Sequence, residues 1–265
     1  MDYFYVHIIS YWPGNKRHDN IQQHIEFFKN YTLNNEQQLK KNLLIVSIRS
    51  DNLQPDSELE NIIKAYDNSS QFKIQLLYNY NSGGTVKALY DVYKYLDNNN
   101  INYDYIACCE DDYCFKTYNF LNNAIEYLNQ DYIFVGSLWN EDPHPTTTDG
   151  IKYGTNCLPS NRRIVPHLKY KHIYANTDTP NKIVSEKDYK WCEDPYITTY
   201  KNLQLIESKL KKFTLAPENE VYNYLEHGIN YGEVGFPSRL AINNFKFIGI
   251  KKEKILQDLN IKKLH

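Results

Sequence analysis

Apolar positions along the first half of the chain follow two alternating rhythms. Residues 3–10 are an aromatic and β-branched run that stops at Tyr11-Trp12-Pro13-Gly14, a turn signal, and they predict a buried strand. Over residues 20–31 the period changes, and Ile21, Ile25, Phe28 and Tyr31 recur at helical spacing. Residues 43–48 return to strand character and open into Arg49-Ser50-Asp51. The alternation continues with a helix over 59–66 and a strand over 72–78. A helix over 85–96 follows, with Val86, Leu89, Val92, Tyr93 and Leu96 on one face, and then a strand over 105–109. A helix over 120–128 and a strand over 132–138 complete the pattern. Such alternation predicts an α/β fold, a mostly parallel sheet flanked by helices, whose ligands gather at the carboxyl ends of the strands.

Beyond residue 138 the rhythm loosens. Residues 139–182 are rich in Pro, Thr, Asn and Asp, with Asp142-Pro143-His144-Pro145 and Leu158-Pro159-Ser160, and predict a long irregular excursion. A last helix is predicted over 197–210. After it come residues 220–225, a Gly-rich segment over 227–237 and a Lys-rich tail. No internal repeat and no linker interrupts residues 1–265, so the expectation is one domain in two halves, about 1–115 and about 116–265.

Composition narrows the partners. Thirty Lys and Arg against 32 Asp and Glu leave a net charge of -2 over 265 residues, which gives no electrostatic case for nucleic acid or an anionic membrane. A small-molecule partner is expected instead. Cys108, Cys109, Cys114, Cys157 and Cys192 show no CxxC spacing and no paired framework, as reduced thiols of an intracellular protein do. The apolar start is too short for a signal peptide, and no stretch approaches the roughly 20 apolar residues of a membrane span. A cytoplasmic protein is the resulting expectation.

The candidate chemistry concentrates where the strand over 105–109 runs into Glu110-Asp111-Asp112. Three adjacent carboxylates at a strand end repel one another by about a few kcal/mol in a low-dielectric setting, and a hard cation such as Mg2+ or Mn2+ relieves that strain. A solvated acidic turn is the competing explanation. The strand over 72–78 leads into Asn79-Tyr80-Asn81-Ser82-Gly83-Gly84-Thr85, where a Gly pair at a helix start suits close approach of a phosphate and equally suits a plain tight turn. Lys87 stands in the first turn of that helix. A second acidic pair, Glu193-Asp194, precedes Pro195, and on its own reads as an N-cap followed by proline at the first helical position.

Taken in order, an N-terminal strand, a second strand ending near Asp51, the Asn81 to Gly84 turn and the strand ending in Glu110-Asp111-Asp112 resemble the nucleotide-sugar half of a GT-A (Rossmann-like) glycosyltransferase, closest to the family-2-like group. The likeness spans roughly residues 3–140, and its core is a DxD-type motif with Glu in first place. The resemblance implies Mn2+ or Mg2+ at Asp112, with Glu110 and Asp111 toward the ribose or the metal's water. It implies donor contacts at Ser10, Asp51 and Asn81, and at Gly83, Gly84 and Lys87. It also implies an irregular, acceptor-binding C-terminal half in which Asp194 is the base and configuration is inverted. His227 is then a further metal ligand, and Trp139, Trp191 and Glu193 face the acceptor; for His227 and the tryptophans, plain packing is the competing explanation. The implied partners are a nucleotide diphosphate sugar, UDP-linked by preference, and a glycan or other hydroxyl acceptor. Two other readings stand beside it. One is a sugar-phosphate nucleotidyltransferase, which needs a Gly-rich basic loop where this chain has residues 10–17; the other is a carbohydrate-binding module without turnover.

Overall fold

The computed structural model describes residues 2–34, 41–49, 55–66, 72–79, 84–138, 193–210, 236, 240, 243–251 and 255–259. The chain divides into two compact units, Met1–Phe120 with Leu256–His265, and Leu121–Ile255.

In the first unit, β1 (Asp2–Tyr11), β2 (Lys41–Arg49), β3 (Phe72–Asn79) and β4 (Asn102–Glu110) pair in parallel in the order β3-β2-β1-β4. The apolar runs that announce these strands are the continuous kind found where a sheet is covered on both faces. In β2, Leu43 to Ile48 are all buried, and in β1 every residue from Tyr5 to Tyr11 is buried. Helices α1 (His18–Asn34), α2 (Ser57–Tyr66) and α3 (Gly84–Asn98) provide the crossovers. Each begins and ends within a few residues of the predicted helix, because its buried side chains repeat at three and four: Ile21, His24, Ile25, Phe28 and Tyr31 in α1, and Val86, Leu89, Val92, Tyr93 and Leu96 in α3.

Register sends alternate residues to opposite faces. Tyr5 and His7 lie against Phe28 of α1, with ring centroids 5.7 and 3.9 Å away. Cys108 reaches the Thr85 carbonyl of α3 at 3.5 Å, and Gln75 reaches Tyr95 of the same helix. From Tyr5 onward in β1, and at the Cys108–Glu110 end of β4, odd-numbered residues therefore face α1 and even-numbered ones face α3. The α1 face carries an aromatic core of Tyr5, Phe28, Tyr31, Phe115 and Phe120, in which Phe115 and Phe120 stack at 3.6 Å.

A short strand missing from the periodicity, β5 (Tyr113–Phe115), follows the acidic turn. It pairs antiparallel with the last described strand, written here as β9 (Leu256–Asp258), and the Leu259 N–H donates to the Asp112 carbonyl at 2.8 Å. The predicted Lys-rich tail thus contains a strand that clamps the exit of the turn. In the second unit α4 runs over Phe120–Leu128, its first residue belonging to the first unit, and β6 (Phe134–Leu138) pairs parallel with β8 (Phe247–Lys251) and antiparallel with β7 (Glu193–Thr199). The helix α5 (Tyr200–Leu210) buries Leu203, Ile206 and Leu210. It starts three residues later than the sequence predicts, since Ile197 to Thr199 extend β7 and the Thr199 hydroxyl accepts from the Asn202 N–H at 3.1 Å as its cap. Among the described residues, no helix is long and apolar enough to cross a membrane.

Candidate functional site

The strand order of the first unit reverses direction between β1 and β4: β2 and β3 lie to one side of β1, β4 to the other. In open parallel sheets that reversal leaves a crevice at the carboxyl ends, where ligands bind. Ser10 of β1 and Glu110 of β4 are paired in register at this edge, and Ser10 pairs with Ser47 on its other side. All three point to the α3 face. There Thr85, in the first turn of α3, donates to Glu110 at 3.2 Å, and Asn79 donates to Ser47 at 2.8 Å. Ser10 Oγ is buried and makes no hydrogen bond among the described residues, and neither does the buried Nε of Arg49, next along β2 on the same face. This edge therefore holds an unsatisfied hydroxyl and an unsatisfied guanidinium N–H beside a carboxylate.

Asp111 and Asp112 form the turn between β4 and β5. The chain ahead of α1 brings them a cation of its own. Pro13 opens a tight helical turn, Lys16 adopts a left-handed φ of 48°, and the reversal places Arg17 just before α1, where its carbonyl accepts from Asn20 and Ile21. The Arg17 guanidinium lies 2.9 Å from Asp111 and 3.5 Å from Asp112. The Asp111 carboxyl is raised to about 6: burial pushes it up most, Arg17 pulls it down, and Asp112 and Glu110 add to the rise. One oxygen of Asp111 is taken by Arg17, and the other is buried without a hydrogen bond. The two aspartates converge on one positive centre, and their hard oxygens and the unused Asp111 oxygen suit a divalent ion in the same place.

Two neighbours were not signalled by the sequence. His18 bridges Asp56 at 3.0 Å and Glu58 at 3.2 Å at the start of α2. Burial opposes ionisation of Asp56, but the His18 hydrogen bond and the N–H groups of Leu59 and Glu58 outweigh it and hold the carboxyl below its ordinary value. Tyr11 is buried near these acids; burial first, then Asp56, Asp111 and Glu58, push its phenol well above the usual range. The second is a set of buried donors behind the turn, His7, His24 and Cys109, whose ligating atoms lie within 4.8 Å of one another.

Of the residues singled out from sequence, Ser10, Glu110, Asp111 and Asp112 share this strand edge. Gly84 opens α3, and Lys87 gives its ammonium to Asp91 one turn on. Asp194 lies in the second unit, buried in β7, with its carbonyl accepting from the Ser137 hydroxyl and a cis peptide to Pro195; Glu193 opens the same strand. The helix-start reading of Asp194-Pro195 is therefore corrected: these residues are strand, and the cap is Thr199. Asp51, Asn81, Gly83, Trp139, Trp191 and His227 lie outside the described residues, as does the predicted irregular stretch 139–182. Against protein-family models and against characterised proteins, the chain shows no match.

Proposed function

We propose that the chain is a metal-dependent glycosyltransferase that moves a sugar from a nucleotide diphosphate donor to an acceptor hydroxyl. The observation that carries this reading is the placement of the acidic turn. It follows directly on the strand beside the topological reversal, next to Ser10 and the first turn of α3. A parallel sheet presents that edge to ligands, and its unsatisfied hydroxyl and guanidinium suit a ligand that is both anionic and hydroxyl-rich.

On this reading Asp111 and Asp112 would hold Mn2+ or Mg2+, whose charge would offset that of a departing diphosphate. Arg17 must then release the aspartates, and in doing so its guanidinium becomes available to the donor. Arg49 and Ser10 orient the donor, Thr85 holds Glu110 in place, and Asp194 takes the proton of the acceptor hydroxyl, so that displacement inverts the anomeric carbon. The test is nucleotide release from a panel of nucleotide diphosphate sugars with and without Mn2+. Release with one donor is expected, reduced about 100-fold or more in Asp112→Ala and lost with donor binding intact in Asp194→Asn. If no donor is hydrolysed or raises the melting temperature, and Asp112→Ala changes nothing, the reading is wrong.

Arg17 favours a second reading. An arginine already spanning both aspartates supports a carbohydrate-binding module without turnover. That reading predicts sugar binding with neither nucleotide release nor dependence on a divalent ion.

A further inference from the structure

Three elements bury nitrogen and sulfur donors against one another directly behind the acidic turn. His7 comes from β1, His24 from α1 and Cys109 from β4, and all three are fully buried. Their donor atoms lie within 4.8 Å of one another, and among the described residues no other group of three histidines, cysteines or acids comes together in this way. His7 Nε2 is 3.4 Å from Cys109 Sγ. Two ligands of one tetrahedral zinc, at about 2.0–2.1 Å for nitrogen and about 2.3 Å for sulfur, stand roughly that far apart. The remaining edges need to close by little more than an ångström.

The hydrogen bonding around the rings points the same way. The Tyr5 hydroxyl is 2.9 Å from His7 Nδ1. If Nδ1 carries the proton and donates it to Tyr5, Nε2 turns its lone pair toward the sulfur, which is the outer-shell arrangement that fixes a metal-bound imidazole. The His24 ring is completely buried and neither nitrogen makes a hydrogen bond of good geometry, the Asp111 backbone being the polar group beside it. A buried imidazole so poorly satisfied leaves a nitrogen available to a ligand from outside the protein chain. Its ring lies 5.8 Å from that of His7, and Phe28 and Phe115 wall the cluster from water. Both rings are fully buried, which favours the neutral form whose lone pairs bind a metal.

We propose that His7, His24 and Cys109 form a buried site for a thiophilic d10 ion, Zn2+ or Cu+, that ties β1, α1 and β4 together beneath the acidic turn. Imidazole and thiolate donors select such ions over the hard Mg2+ and Mn2+ that suit Asp111 and Asp112. The Cys109 thiol loses its proton on binding. A thiolate with two neutral imidazoles and Cu+ leaves no net charge in the apolar surroundings, whereas Zn2+ leaves one positive charge and takes a fourth ligand. With all three donors fully buried, the ion enters as the unit folds. Cys109 directly precedes Glu110, and His24 lies by the Asp111 backbone, so the ion sets where the turn's carboxylates stand.

Full-length, tag-free protein grown in minimal medium with Zn2+, Cu2+ or both, and analysed for metal by mass spectrometry, tests the site. About one equivalent of zinc or copper per chain is expected, falling to background in Cys109→Ser and in His24→Phe. The ion retained when both are supplied separates the two. Protein grown on Co2+ should show a thiolate-to-cobalt charge-transfer band that Cys109→Ser lacks. A tenth of an equivalent or less of either metal in the wild type, or the same content in both variants, overturns the proposal. Should those two variants prove insoluble, Tyr5→Phe decides: a competing chelator should withdraw the metal about 10–100-fold more readily than from the wild type, and equal withdrawal sinks the site.

Discussion

Two polar clusters one residue apart in sequence meet opposite fates at the end of β4. Asp111 and Asp112 are ionisable, their charge is met by Arg17, and that arginine is partly open to solvent. Cys109 turns into a dry pocket of His7, His24, Phe28 and Phe115, where the donors are held neutral by burial. The difference follows from the pleat and the turn. Cys109 is the last odd-numbered residue of β4, and two residues later the chain has left that strand. A strand end thus separates hard oxygen donors from soft nitrogen and sulfur donors within one short stretch. The first set answers to pH and salt, and the second to packing.

That contrast can be broken by mutation. The largest effect is expected from Arg17→Met, which strands the buried Asp111 charge and should cost about 3 kcal/mol near pH 7 in urea denaturation. The loss should shrink in Arg17→Met/Asp111→Asn, and an additive double mutant would mean the pair is not coupled. Next comes Asp111→Asn. Because the folded-state value of Asp111 is raised to about 6, its contribution to stability is complete below its ordinary value near 4 and is lost as pH rises through about 6. The wild type should therefore lose about 2 kcal/mol relative to Asp111→Asn between about pH 4 and pH 6, and no more above that; parallel stability curves would contradict the assignment.

Smaller effects sharpen the other side. Tyr5→Phe leaves a buried His7 nitrogen without its partner and should cost about 1–2 kcal/mol, unchanged between about 0.1 and 1 M salt, while the Arg17→Met loss falls with salt. Equal salt dependence for both would erase the distinction. The smallest is Thr85→Val, which removes the hydroxyl from Glu110 and should cost about 1 kcal/mol with no effect on the His7 cluster, as a chelator-release assay would read.

Most of the first unit was legible in the chain, because its strands are long apolar runs and its helices repeat at three and four. The second unit was less so. Pro195 reads as a breaker, yet it lies inside β7, and the three-residue strands β5 and β9 are too short to carry a period. The acidic turn was legible because its three carboxylates adjoin in sequence. Arg17 was not, since nothing local ties residue 17 to residue 111.

Which segments of the first unit are strands and helices, and that its carboxylates stand at a carboxyl end, can be read from the residues alone. Local period and burial decide such matters. Which cation meets those carboxylates, which hydroxyl and guanidinium N–H at the same edge lack a partner among the described residues, and that residues 7, 24 and 109 converge are matters of tertiary structure. Those outcomes depend on parallel register and on how α1 lies across two strands, and neither leaves a trace in any short window of sequence.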